Sequence, residues 1–150
     1  MTILSNYPLV SALAAIVLAQ GAKVPLVWLL RGRWNPALAF GTGGMPSSHS
    51  AAVAALATAV GLERGFGSAG FAIAVVVCAI TMYDAAGIRR HAGIQAGAIN
   101  RIVEALKEHL PAACDPERQP LKELLGHRPV EVLGGAIFGM SVGVAFHFVY

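Results

Sequence analysis

The sequence predicts an all-α protein: a polytopic membrane helix bundle of about four transmembrane helices, with an amphipathic helix on its cytoplasmic face. Three observations carry this. Of the 150 residues 56% are hydrophobic and only 13% are charged, whereas an ordinary soluble domain carries about 25% charged residues. Four apolar runs approach the roughly 20 residues that span a bilayer. One further stretch, 96–110, mixes apolar and charged side chains at helical spacing. The length fits a single domain over residues 1–150.

The first apolar run, 8–30, is long enough to cross a bilayer. Gln20 and Lys23 interrupt it three residues apart, on one helical face, and Pro25 is placed to kink it. A lysine at that depth either snorkels to the interface or faces a partner or wet cavity. Arg31 and Arg33 mark the membrane surface, with Trp28 and Trp34 as interfacial anchors.

Residues 41–51 read Gly-Thr-Gly-Gly-Met-Pro-Ser-Ser-His-Ser-Ala. Gly43 and Gly44 make a loop that bends sharply and lets backbone approach a ligand. Pro46 suits a first helical turn, and Ser47 and Ser48 suit a helix start. Free N–H groups there, beside serine hydroxyls, form an anion site, and His49 sits one residue inside it. The helix that follows, 46–62, is rich in alanine, which favours close packing.

The third run, 67–88, stays apolar until Asp84, which lies five and six residues before Arg89 and Arg90 and suggests a charge pair. Residues 92–128 are polar. Within them 96–110 forms the amphipathic helix, with Ile99, Ile102, Val103, Leu106 and Leu110 opposed to Arg101, Glu104, Lys107 and Glu108. Residues 111–116 break it, and 120–125 read as a short further turn. The last run, 129–150, carries Glu131 near its start. Its stripe of Gly135, Gly139 and Gly143 suits a tight helix seam, within one chain or in a homo-oligomer.

Charge placement sets the topology. With four spans, Arg64 alone of the eleven Lys/Arg residues falls on one face. The positive-inside rule puts the other face in the cytoplasm, in an inner or cytoplasmic membrane, and both termini outside. The net charge is only +3, and no nucleic-acid partner is expected. Cys78 lies in an apolar run and Cys114 in a polar one, so the two make no disulfide framework. The N-terminus lacks the basic region and cleavage site of a signal peptide.

The polar residues of separate segments converge on the cationic face. They are Lys23, His49, Asp84 with Arg89 and Arg90, and His127, Arg128 and Glu131. Two histidines, each near a proline at a helix start, can flank a phosphoryl group. Its transfer mostly requires positioning and charge neutralisation, plus a nucleophile and a leaving-group acid. Glu131 follows His127 by one helical turn, where its carboxylate can orient the imidazole.

The chain here resembles the divergent PAP2 family, the divergent branch of the type 2 phosphatidic acid phosphatases, related to acid phosphatases and vanadium-dependent haloperoxidases. The marks are Gly-Gly-Met-Pro-Ser-Ser-His-Ser at 43–50, Met-Tyr-Asp-Ala-Ala-Gly-Ile-Arg-Arg at 82–90, and Leu-Lys-Glu-Leu-Leu-Gly-His-Arg-Pro-Val-Glu-Val at 121–132. The resemblance implies a PAP2-like helix bundle and a phosphatase acting on a lipid phosphate or prenyl (di)phosphate, without metal or other cofactor.

Conventional members carry Lys-x6-Arg-Pro, Pro-Ser-Gly-His and Ser-Arg-x5-His-x3-Asp. The second motif maps onto Pro46-Ser47-Ser48-His49, with Ser48 in place of glycine; it implies His49 as general acid and Ser47 and Ser48 as phosphate binders. The third implies His127 as nucleophile, with Glu131 in place of the aspartate. Leu121 stands at the expected arginine, a charge that Arg89 or Arg90 would supply. In the first motif Lys23 is followed by Leu30 where arginine is expected, with Arg31 one residue later. The implied substrate-binding set is Lys23, Gly44, Ser47, Ser48, Asp84, Arg89, Arg90 and Arg128. Two other readings stay open: a non-enzymatic protein that binds anionic lipid head groups or a partner, and a divalent-metal site of His49, Asp84, His127 and Glu131.

Overall fold

A computed structural model describes residues 5–32, 44–109, 119–123 and 126–150. Arg33, Trp34, Gly43, Cys114, Arg118 and the break at 111–116 lie outside the described residues. The chain forms α1 (Tyr7–Arg31), α2 (Ser48–Arg64), α3 (Ala69–Ala86), α4 (Ile88–His109) and α5 (Pro129–His147), with no strand among the described residues.

The four apolar runs are α1, α2, α3 and α5. Among the described residues three stretches are long and apolar enough to cross a membrane: Tyr7–Leu29, Ala69–Lys107, whose apolar part is α3, and Pro129–His147. The remaining run, α2, has 17 residues and reaches only about 25 Å, short of the ~30 Å hydrocarbon core. It is also the most enclosed helix, packed against α1, α3 and α5 together. Its alanines make that possible, because small side chains let three neighbours approach one backbone.

The glycine stripe of α5 is the seam to α2, within the chain. A Cβ at Gly135 would fall against the Ser47 carbonyl, and one at Gly139 against the Ala51 carbonyl. A Cβ at Gly143 would lie 3.0 Å from the Ala55 carbonyl. Both helices advance four residues per contact, so α2 and α5 run parallel. The α1 stripe Tyr7, Ser11, Ala15, Ala19 and Lys23 is buried along its length, and Ala15 and Ala19 meet Ala51, Ala55 and Val142 in the core. At the far end the Tyr7 hydroxyl donates to the Gly143 carbonyl at 2.6 Å. That contact makes α1 antiparallel to α5 and puts the start of the first span beside the end of the last.

Three details differ from the sequence reading. Pro46 lies outside α2, because Ser47 takes the cap: its Oγ accepts the Ser50 N–H at 3.4 Å. The amphipathic helix starts at Ile88, not 96. α3 closes at Gly87, whose N–H donates to the Tyr83 carbonyl at 2.8 Å, and no proline follows to stop a new helix. Residues 119–123 are not helical, since the Asn100 side chain takes both backbone groups of Leu121 at 2.9 Å each. α1 itself continues through Pro25.

Candidate active site

Four helix ends meet at one end of the bundle. The Ser47 N–H donates to the Glu131 carbonyl at 3.1 Å, tying the start of α2 to the start of α5. The His127 N–H donates to the Ala85 carbonyl at 3.0 Å, tying the approach to α5 to the end of α3. Ala85 has a carbonyl to offer because the last turn of a helix leaves its carbonyls unpaired. Gly126 allows this docking. It holds φ +83, and a Cβ there would collide with the Arg89–Arg90 backbone, so only glycine fits.

The two histidines are brought together. His49 is exposed in the first turn of α2, whereas His127 is 7% exposed. Their ring centroids lie 6.4 Å apart at 68°, too far for a direct ring-to-ring hydrogen bond. The buried Nε2 of His127 has no hydrogen-bond partner among the described residues. Such an atom normally finds one, because leaving it unmade costs about 1–3 kcal/mol.

Burial pushes the His127 imidazole below its ordinary pKa. Glu131 pulls it back up, and Lys23, His49 and Arg89 push it further down. The net direction keeps the ring neutral. The same effects place Lys23 and Arg89 within electrostatic reach of His127. Lys23 is 2% exposed, so it faces into the bundle and does not snorkel to the interface.

Glu131 acts on His127 through its field. One carboxylate oxygen accepts the Arg128 N–H at 3.0 Å, closing the first turn of α5. Asp84 accepts from Arg89 Nε at 2.7 Å, the pair its spacing suggested, and so bears on the site by holding that guanidinium. Arg90 and Arg128 are exposed at the same end. Gly44 holds φ +82 beside the mouth of α2. Ser47 and Ser48 are buried there. Capping takes the Ser50 amide, and the first-turn amides of Ser48 and His49 have no acceptor among the described residues. Among the described residues no three His, Cys, Asp or Glu side chains gather as a metal-ligand set, so the proposed grouping of His49, Asp84, His127 and Glu131 is not assembled.

Two participants were not singled out in the sequence. Ser50 is fully buried and donates its hydroxyl to Ser47 Oγ at 3.1 Å, which fixes the cap; a Ser-x-x-Ser spacing at a helix start is the signal for it. Gly126 is the other, readable as a glycine just before the His-Arg-Pro turn.

Fold and site together define a helical integral membrane protein with a cationic, two-histidine end. Residues 4–142 match the Divergent PAP2 family, and the chain belongs to that family. It is 48% identical over 147 residues to "Uncharacterized membrane protein YuiD" of Bacillus subtilis (strain 168), covering 93% of this chain and 93% of that protein. No solved structure matches it.

Proposed function

We propose that the protein is a membrane phosphatase that hydrolyses a lipid phosphate or prenyl (di)phosphate at the cytoplasmic face of the inner membrane, through a phosphohistidine. The observation that carries this reading is His127: a buried imidazole whose Nε2 has no partner among the described residues, with its ring centroid 6.4 Å from that of His49. Its family membership supports the same chemistry.

The steps use this chain's own side chains. His127 Nε2 attacks phosphorus, and the bond to the leaving oxygen breaks. His49 gives that oxygen its proton, so a monophosphate ester releases a neutral alcohol and a diphosphate releases the monophosphate. His49, now neutral, takes a proton from water as the water oxygen attacks the phosphohistidine. The P–N bond breaks, and free phosphate and neutral His127 return. Lys23 and Arg89 offset the charge of the phosphoryl oxygens, and the Ser48 and His49 amides supply donors at the start of α2. Arg90 and Arg128 add to the positive field at the mouth. Glu131 stabilises the charge that His127 gains as the P–N bond forms.

A second reading has one observation in its favour. Arg89 is already held by Asp84 at 2.7 Å, as a site that binds anionic head groups without turnover could be arranged. Phosphate release from detergent-solubilised protein separates the two. The test screens lipid and prenyl phosphates in the presence of chelator, with H127A and H49A beside the wild type. Phosphatase chemistry predicts release by the wild type and background release by H127A. Release by H127A at the wild-type rate removes His127 as nucleophile, and tight binding of a lipid phosphate without release by the wild type favours the second reading.

A further inference from the structure

The segment that leads into His127 is held by a residue far from the two-histidine site. Asn100 lies within α4, where asparagine is a poor helix former. Its side chain reaches residues 21 and 23 positions further along the chain. The Oδ1 accepts the Leu121 N–H, and the Nδ2 donates to the Leu121 carbonyl and to Glu123 Oε1, each at 2.9 Å. An asparagine amide offers one oxygen and two N–H hydrogens, and this clamp uses all of them. Gly97, a turn earlier on α4, leaves room for it: a Cβ there would lie 3.3 Å from Glu123 Cδ. The same segment meets α4 again at Gly126, which lies against the backbone of Arg89 and Arg90. Leu121, Glu123 and Gly126 therefore meet α4 at Asn100, then Gly97, then Arg89 and Arg90, so the segment returns antiparallel to the helix.

We propose that Asn100 is a positioning residue for His127: it clamps the returning segment to α4, and so sets where that segment delivers the imidazole. Asn100 touches no reacting atom. Its kinetic consequences rest on the phosphatase reading, whereas the mechanical link rests on geometry alone. Arg90 and Asn100 stand about 15 Å apart along the helix axis. The chain from Leu121 to Gly126 reaches at most about 18 Å. Attached at both places, it has little slack, and a shift at Leu121 passes to Gly126 and to its neighbour His127. Beyond Gly126 the next tie is the His127 N–H on the Ala85 carbonyl, at 3.0 Å. Among the described residues α4 packs against no helix but α3, so releasing the clamp leaves the α1, α2 and α5 packing in place.

The test breaks the clamp and then rebuilds it with the donor on the other side. Asn100→Asp keeps an acceptor for the Leu121 N–H, loses both N–H hydrogens and sets a second carboxylate beside Glu123. Adding Glu123→Gln removes that repulsion and supplies a donor from residue 123 to residue 100. Hydrolysis of hexadecyl phosphate in detergent is compared for the wild type, the single variant and the double variant. Asn100→Asp should lower kcat by about a hundredfold, the cost of misplacing a reacting group by about 1 Å, with KM little changed. The double variant should recover most of that loss. An unchanged kcat, a loss confined to KM, or no recovery in the double variant overturns the proposal. Amide hydrogen exchange needs no turnover, so it separates failure of the clamp from failure of the phosphatase reading. Asn100→Ala should speed exchange at Leu121 and His127 together and leave the amides of the α2–α5 seam as slow as in the wild type. Should that variant not fold, the same comparison is read from Asn100→Asp. Coupled exchange in a protein that releases no phosphate keeps the clamp and discards the phosphatase reading. Faster exchange at Leu121 with His127 unchanged, or protection lost along the seam as well, overturns the proposal whatever the turnover.

Discussion

Tyr7 and His127 are buried rings with a polar edge, placed at opposite ends of one bundle. The hydroxyl of Tyr7 is matched inside the chain, donating to the Gly143 carbonyl at 2.6 Å, among the rings of His147 and Tyr150 at 5.7 and 6.1 Å. The Nε2 of His127 has no partner among the described residues. The two ends lie on the same α2–α5 seam, so packing does not account for the difference. One end is closed on itself. The other holds a polar atom at a cost of about 1–3 kcal/mol, as expected where the partner arrives from outside the chain.

Exchanging the two edges for less polar or less nucleophilic ones tests this contrast most severely. His127→Asn should reduce phosphate release by about ten-thousandfold, the scale seen when a nucleophile is removed, while the protein still elutes as a folded species. Tyr7→Phe should keep turnover and lose only about 1 kcal/mol of stability, one hydrogen bond, measured by thermal unfolding in detergent. A Tyr7→Phe protein as inactive as His127→Asn would erase the distinction between the ends.

The seam that joins the ends comes next in size. Gly139→Leu places a side chain against the Ala51 carbonyl, and such overpacking costs about 1–3 kcal/mol. It should also loosen the Ser47–Glu131 link and reduce turnover, because His49 lies in the first turn of α2 and His127 directly precedes α5. Gly21→Leu is the control: nothing lies within 4 Å of a Cβ there. Equal melting temperatures for the two variants would show that the seam does not set the stability.

Much of this was legible in the chain. Apolar length marked α1, α3 and α5, and the spacing of Asp84 from Arg89 anticipated their ion pair. Gly135, Gly139 and Gly143 announced a close contact, but its partner was ambiguous, since a small-residue stripe looks the same within a chain and between chains. Burial of Lys23 was undecidable for a related reason: snorkelling and inward-facing lysines share one sequence pattern. The start of α4 was hidden because Arg89 and Arg90 read as the charged end of the third apolar run, whereas Gly87 separates them from α3 and they belong to the first turn of α4. The docking of Gly126 on the Arg89–Arg90 backbone depends on a tertiary approach that no local pattern encodes.

The electrostatics of His127 give a finer test. Its folded pKa lies below the ordinary imidazole value, with burial as the largest cause and Glu131 opposing it. The unfolded chain therefore holds the proton more readily than the folded one. Stability from this residue is complete above the ordinary imidazole pKa and is lost as pH falls through the lower, folded value. In the proposed mechanism the neutral ring is the nucleophile, so the acidic limb of kcat/KM should lie below the ordinary imidazole range. Glu131→Gln removes the one influence that raises this pKa and keeps an acceptor for the Arg128 N–H. The limb should move to still lower pH, and kcat should fall because the charge on the phosphorylated ring is less well balanced. A limb that moves upward would mean that Glu131 does not act on His127 as its position implies.

The smallest effect belongs to the exposed pair at the rim. Asp84 and Arg89 are 2.7 Å apart with partly exposed side chains, and such a pair is worth no more than about 1 kcal/mol. Asp84→Asn should therefore barely change the melting temperature. Its information lies in the kinetics. If Asp84 holds Arg89 where its charge meets the phosphoryl oxygens, the variant should raise KM by about fivefold, the equivalent of ~1 kcal/mol, with kcat nearly constant and the difference shrinking as salt is added. If Asp84 instead competes with the substrate for that guanidinium, the variant should lower KM. The direction of the change decides whether this ion pair helps to build the phosphate site or restrains it.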